Sequence, residues 1–154
     1  MKFSNTIKSG LLSILLVTTN ATAGLITGAI NADDSYTAYI STDNNTQGTI
    51  VSSESSWQVT DTFSYGLNDG EDYFIHISAQ DIGGVISAIL GEFTLGAGHV
   101  FDNGTNNLLT NTINWQVSTT GWSNYSTATS YGLNGASPWG TYYTSAIDSN
   151  AQWI

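Results

Sequence analysis

The sequence predicts an all-β fold of the sandwich or barrel kind, and three observations predict it. Runs rich in Thr, Ile, Val, Tyr and Trp are separated by Gly, Asn, Asp and Ser clusters at fairly regular spacing, as strands are separated by turns. No long segment after residue 23 carries the apolar repeat of an amphipathic helix. Aromatic residues make up 12% of the chain, with five Trp and eight Tyr, which supplies the apolar surface a packed domain needs.

In chain order the candidate strands are 25–30, 35–41, 48–52, 57–64, 72–79, 85–94, 112–119 and 150–154. Alternation along 36–40 places Tyr36, Ala38 and Ile40 on one face and Thr37 and Tyr39 on the other. The stretch Val85–Leu90 is apolar on both alternating faces and reads as a central, buried strand. Asn68-Asp69-Gly70, Asn103-Gly104 and Asn134-Gly135 mark turns, because Gly, Asn and Asp tolerate positive φ. Polar residues dominate 102–111, which reads as a surface loop.

Residues 1–23 read as a cleavable signal peptide. Lys2 and Lys8 precede the apolar run Leu11–Val17, and Ala21-Thr22-Ala23 has the small-x-small pattern of a cleavage site. The run falls short of the roughly 20 apolar residues that cross a bilayer, so no membrane insertion is expected after cleavage. Residues 24–154 (154 − 23 = 131 residues) are the size of one domain. The expected location is secreted, extracellular or at the cell surface.

Lys2 and Lys8 are the only Lys or Arg residues, whereas all twelve Asp and Glu lie after residue 23, giving 0 − 12 = −12 for 24–154. Such a chain has no cation with which to neutralise phosphate, so nucleic acid is excluded as a partner. Anionic membranes and acidic polysaccharides are disfavoured for the same reason. The carboxylates must be solvated, bonded to backbone N–H groups or bound to an external cation. Cysteine is absent, so packing rather than disulfides must hold the domain.

Signatures of catalysis are sparse. There is no Cys and no Gly-x-Ser-x-Gly elbow. His76 sits in a strand-like run and His99 follows Gly96-Ala97-Gly98, without zinc-site spacing. Twelve carboxylates leave open a pair suited to glycoside hydrolysis, although no pattern singles one out. No cofactor is required. The metal expected, if any, is structural calcium, which takes six to eight oxygen ligands. Asp33 and Asp34 are the first candidates, followed by Asp43 and Asp102, all beside turn residues.

Sugars stack on exposed aromatic rings while polar neighbours bond their hydroxyls. Trp57, Trp115 and Trp153 lie in strand-like runs and read as core. Trp122 and Trp139 lie beside Gly and Pro, with Asn124, Tyr142 and Tyr143 close by, and for these two Trp the sequence leaves exposure and burial equally open.

Several segments, in order, resemble the galactose-binding-domain-like β-sandwich modules of bacterial secreted and surface proteins. They are Ala32-Asp33-Asp34-Ser35-Tyr36-Thr37-Ala38-Tyr39-Ile40, Trp57, Asp61-Thr62-Phe63, Leu67–Gly70, Tyr73–Ala79, Gly83-Gly84-Val85 through Leu90, Trp115–Thr119, Gly121-Trp122, Pro138-Trp139-Gly140 and Ala151–Ile154. The chain departs from the pattern at Ser41–Asn45, in place of an Asn-Gly hairpin, and at Ser123–Ala128, in place of an acidic element. The resemblance implies a two-sheet antiparallel jelly-roll sandwich. It also implies a non-catalytic carbohydrate-binding or adhesive module whose partner is an extracellular glycan; the reading of the loop aromatics and their polar neighbours places the contacts at Trp122, Trp139, Tyr142, Tyr143 and Asn124. The alternatives are self-association as a matrix or fibre subunit and, third, a small secreted glycoside hydrolase.

Overall fold

The computed structural model describes residues 24–84, 86–137, 139 and 144–154. The expected signal peptide lies outside them. The described chain is all-β, with antiparallel pairing throughout and no helix.

Strands β1 (Gly24–Asp33) and β2 (Ser35–Ser41) follow each other almost without a break and form the central ribbon. β1 pairs with β4 (Asp61–Leu67) on one side and β6 (Ala88–Leu95) on the other, and β7 (Asn107–Leu109) extends this sheet beyond β6. β2 pairs with β3 (Thr49–Glu54) and β5 (Phe74–Gln80) to give a three-stranded sheet. Three ribbons, β1–β2, β3–β4 and β5–β6, therefore each cross from one sheet to the other. Two short pairs complete the strands of the described residues: β8 (Gln116–Val117) with β9 (Ser126–Thr127), and β10 (Gly132–Leu133) with β11 (Gln152–Trp153).

Period-two alternation builds the core between the sheets. Ile30, Ala32 and Phe93 from the larger sheet meet Tyr36 and Ala38 from the smaller, with Ile75, Ile77 and Ile89 around them. Gly28 is part of this packing, since a Cβ there would lie 2.4 Å from the Phe63 ring and 2.8 Å from that of Phe93. Its missing side chain is the space those rings fill.

Where the ribbons cross between sheets the ladders break, and side chains satisfy the backbone groups set free. Fully buried Asn31 donates from Nδ2 to the carbonyls of Trp57 (2.9 Å) and Val59 (3.0 Å). Asp34 Oδ2 accepts the N–H groups of Ile82 (2.8 Å) and Gly83 (3.2 Å). Between the sheets, Tyr36 Oη lies 2.6 Å from Ser52 Oγ, which donates to Asp61 Oδ2 at 2.8 Å. Burial pushes the Tyr36 hydroxyl pKa up to about 12.

The larger sheet has a second layer on its outer face. Ala29, Ala88 and Leu90 are covered by Trp139, Ile147, Ala151 and Trp153. Ile154 and Ile89 exchange backbone hydrogen bonds of 2.8 and 3.0 Å, which fastens the end of the chain alongside β6. The start of β6, Ala88–Leu90, is thus covered on both faces. Of the stretch Val85–Leu90 read as a buried strand only these three residues are strand, Val85 lies outside the described residues, and further along β6 Thr94 is exposed.

Some predicted boundaries move. The 57–64 strand starts at Asp61, because Trp57–Thr60 spans the crossing between sheets. The expected loop 102–111 contains β7. Within 112–119 only Gln116–Val117 pairs, because Asn111 Oδ1 accepts the N–H groups of Ile113 and Asn114 (both 2.8 Å) and turns the chain; Ile113 is 89% exposed.

Candidate functional site

The outer face of the three-stranded sheet is the candidate site, and strand register determines its make-up. β2 presents Ser35, Thr37 and Tyr39 outward, opposite Gln80, Ser78 and His76 of β5. Across β2, Thr37 faces Ser53 and Tyr39 faces Ile50. The face is therefore polar at one end and aromatic at the other.

At the polar end an open cleft of about 380 Å³ is lined by Ser35, Thr37, Ser53, Glu54, Ser78 and Gln80. Glu54 is its single carboxylate, so no acid pair for glycoside hydrolysis faces this cleft.

At the aromatic end, Trp122 folds down from the loop between β8 and β9. Its ring stacks on His76 at 4.7 Å and 17°, and meets Tyr39 edge-on at 5.8 Å. Phe74 stacks on His76 at 6.3 Å and 21°. Tyr39 and His76 point outward yet are only 7% and 5% exposed, while Trp122 itself stays half-exposed. Phe74 (37%) and Ile50 (63%) are open to solvent. Asn44 ties this corner together: its Oδ1 lies 3.3 Å from His76 Nε2, and its carbonyl accepts the Tyr125 hydroxyl at 3.0 Å. Asn124, exposed with φ of 55°, donates to Thr120 Oγ1 at 3.2 Å.

Of the sequence-predicted binding residues, Trp122 and Asn124 lie in this one loop. Trp139 does not join them. It is 6% exposed, stacked on Trp153 at 4.1 Å and 15°, with Nε1 donating to Asp33 Oδ2 at 3.0 Å. A coplanar apolar ring and a carboxylate acceptor account for its burial and leave it no free face to offer a ligand. Tyr142 and Tyr143 lie outside the described residues. Among the expected core tryptophans, Trp153 is fully buried and Trp115 packs partly on Phe93 at 5.4 Å, whereas Trp57 is 36% exposed. Sequence reasoning missed Tyr39, Phe74 and His76 as parts of one face. Extending the period-two alternation of 36–40 across to the 72–79 strand is the signal that finds them.

The carboxylates proposed for calcium do not gather. Asp33 and Asp34 sit at the β1–β2 corner with Asp81 nearby, Asp43 lies beyond the far end of β2, and exposed Asp102 follows β6. Each of the first two already serves an N–H group. Burial holds the Asp33 carboxyl above the ordinary value of 3.8, whereas the Ile82 and Gly83 N–H groups hold that of Asp34 below it. Asp43 Oδ1 accepts the Asn45 N–H at 2.8 Å and shapes the β2–β3 turn. Among the described residues no three His, Asp or Glu side chains form a group able to hold a metal ion.

The chain matches no protein-family model, no curated protein and no solved structure. Its function is therefore read from this face.

Proposed function

We propose that the chain is a secreted, non-catalytic carbohydrate-binding or adhesive module, a jelly-roll sandwich of the galactose-binding-like kind, and that it binds neutral glycans on the outer face of its smaller sheet. The observation that carries this reading is the pairing of a partly exposed Trp122–His76–Phe74 stack with a hydroxyl- and amide-lined cleft on the same strands. The rings offer a surface for the apolar C–H face of a sugar, and Ser35, Thr37, Ser78 and Gln80 offer donors and acceptors for its hydroxyls. Aromatic anchors beside a few placed polar groups are the usual make-up of a small-ligand site. The charge of the domain selects against acidic glycans.

A glycan array probed with the purified protein, together with isothermal titration of the hits, tests this. Trp122→Ala abolishes binding in this reading, while Tyr131→Ala, a change to an exposed aromatic packed on Trp139 over the larger sheet, leaves it intact. An array without a single neutral-glycan hit, or equal affinity in the Trp122 variant, would refute it.

A further inference from the structure

We infer that β5 is a self-association edge, through which two copies of the chain join their smaller sheets into one six-stranded antiparallel sheet. This rests on the strand edges and stands whether or not the face binds glycan.

Among the described residues four strands end the two larger sheets, and three of them carry a device that discourages pairing. β3 has a register shift opposite Ala38/Tyr39 and ends in Glu54. β4 begins with a carboxylate, Asp61. β7 has only three residues, and its carbonyls are occupied: Asn107 O by Thr105 Oγ1 (2.6 Å), and Leu109 O by Asn111 Nδ2 (3.0 Å) and Trp115 Nε1 (3.1 Å). β5 has none of these. Its seven residues, Phe-Ile-His-Ile-Ser-Ala-Gln, contain no carboxylate, proline or register shift, and Phe74, Ser78, Ala79 and Gln80 are exposed. Lysine, the usual edge guard, is absent after residue 8.

The backbone fixes which groups are on offer. The Gln80 carbonyl accepts the Asp34 N–H, so by alternation the backbone groups of Phe74, His76, Ser78 and Gln80 face β2, and those of Ile75, Ile77 and Ala79 face away from it. Antiparallel pairing of β5 with itself about Ile77 sets these three against Ala79, Ile77 and Ile75 of the second copy, so the outward N–H and C=O groups meet in kind. On the core side, Ile75 then lies across from Ala79 and Ile77 from Ile77. On the outer side, Phe74 lies across from Gln80. Unlike an open fibre, this twofold contact closes on itself.

Sedimentation velocity of the full chain across a concentration series tests the inference. The expected result is a reversible monomer–dimer equilibrium that tightens as salt rises, because salt screens the repulsion between two acidic copies. Ala79→Pro removes an outward N–H without touching a β2–β5 bond, and Ser78→Glu adds a carboxylate to the exposed edge. Each weakens the dimer tenfold or more in this scheme. Ser64→Glu adds the same charge to β4 and leaves association as in the wild type. A wild type that stays monomeric throughout, or a Ser64→Glu chain that dissociates as far as Ser78→Glu, would overturn the inference. If Ala79→Pro fails to fold, the two glutamate variants decide it.

Discussion

Two tryptophan stacks, one on each outer face of the molecule, begin from similar sequence and reach opposite fates. Trp122 and Trp139 both sit in irregular segments beside glycine. Trp139 meets Trp153 and the Asp33 carboxylate over the larger sheet and disappears into the second core layer. Trp122 meets His76 and Tyr39 on the smaller sheet and remains half-exposed. The difference lies in the partner surface. A fully buried indole with a side-chain acceptor nearby draws a loop tryptophan into the core, whereas outward-facing strand residues hold one at the surface.

The comparison breaks most visibly in stability. Trp153→Ala removes the buried half of its stack and should cost about 3–5 kcal/mol, measured by urea unfolding. Trp122→Ala, at the surface stack, should cost about 1 kcal/mol. Equal losses would mean that both faces belong to one core. A smaller effect comes from Trp139→Phe, which keeps ring stacking but loses the donor to Asp33, for an expected loss of about 1–2 kcal/mol.

The smallest effect has the opposite sign. The Asp33 carboxyl binds its proton more tightly in the folded chain than in the unfolded one, chiefly through burial and also through the nearby Asp34 and Asp81. Its stabilising contribution is therefore complete below pH 3.8 and is lost as pH rises through the raised folded value. At neutral pH the ionised group works against folding. Asp33→Asn retains an acceptor for Trp139, so its Tm at pH 7 should exceed that of the wild type, and the advantage should vanish below pH 3.8. Asp34 runs the other way: backbone donors lower its value, and its contribution is lost in acid.

How much of this was legible depends on whether the signal is local. β2 is found at 35–41 as predicted, with Tyr36, Ala38 and Ile40 inward, because alternation belongs to the strand itself. The burial of Ala88–Leu90 at the start of β6 is likewise written in its own residues, although the strand begins three residues later than the predicted 85. Crossings between sheets are not, since Trp57 and Val59 look like strand residues until Asn31, far away in sequence, takes up their carbonyls. β7 hides in a polar stretch because Asn103 and Thr105 bond its start, and little apolar pattern remains to mark it. Within the candidate site, the Trp122 loop was visible as an aromatic beside glycine. Its neighbours were not, because only the register of β2 with β5 sets Tyr39 beside His76 under the Trp122 ring, with Phe74 stacked on His76 in turn.

The pairing of Ile154 with Ile89 bears on the order of folding. The outer layer of the larger sheet closes only when residues 151–154 dock beside β6, so Ala29, Ala88 and Leu90 stay bare until that docking. Central contacts here join distant segments, Ile26 to Leu95 as well as Ile89 to Ile154, and such topologies close slowly. Docking of residues 151–154 is therefore expected late in folding, and until then the larger sheet keeps an apolar outer face uncovered.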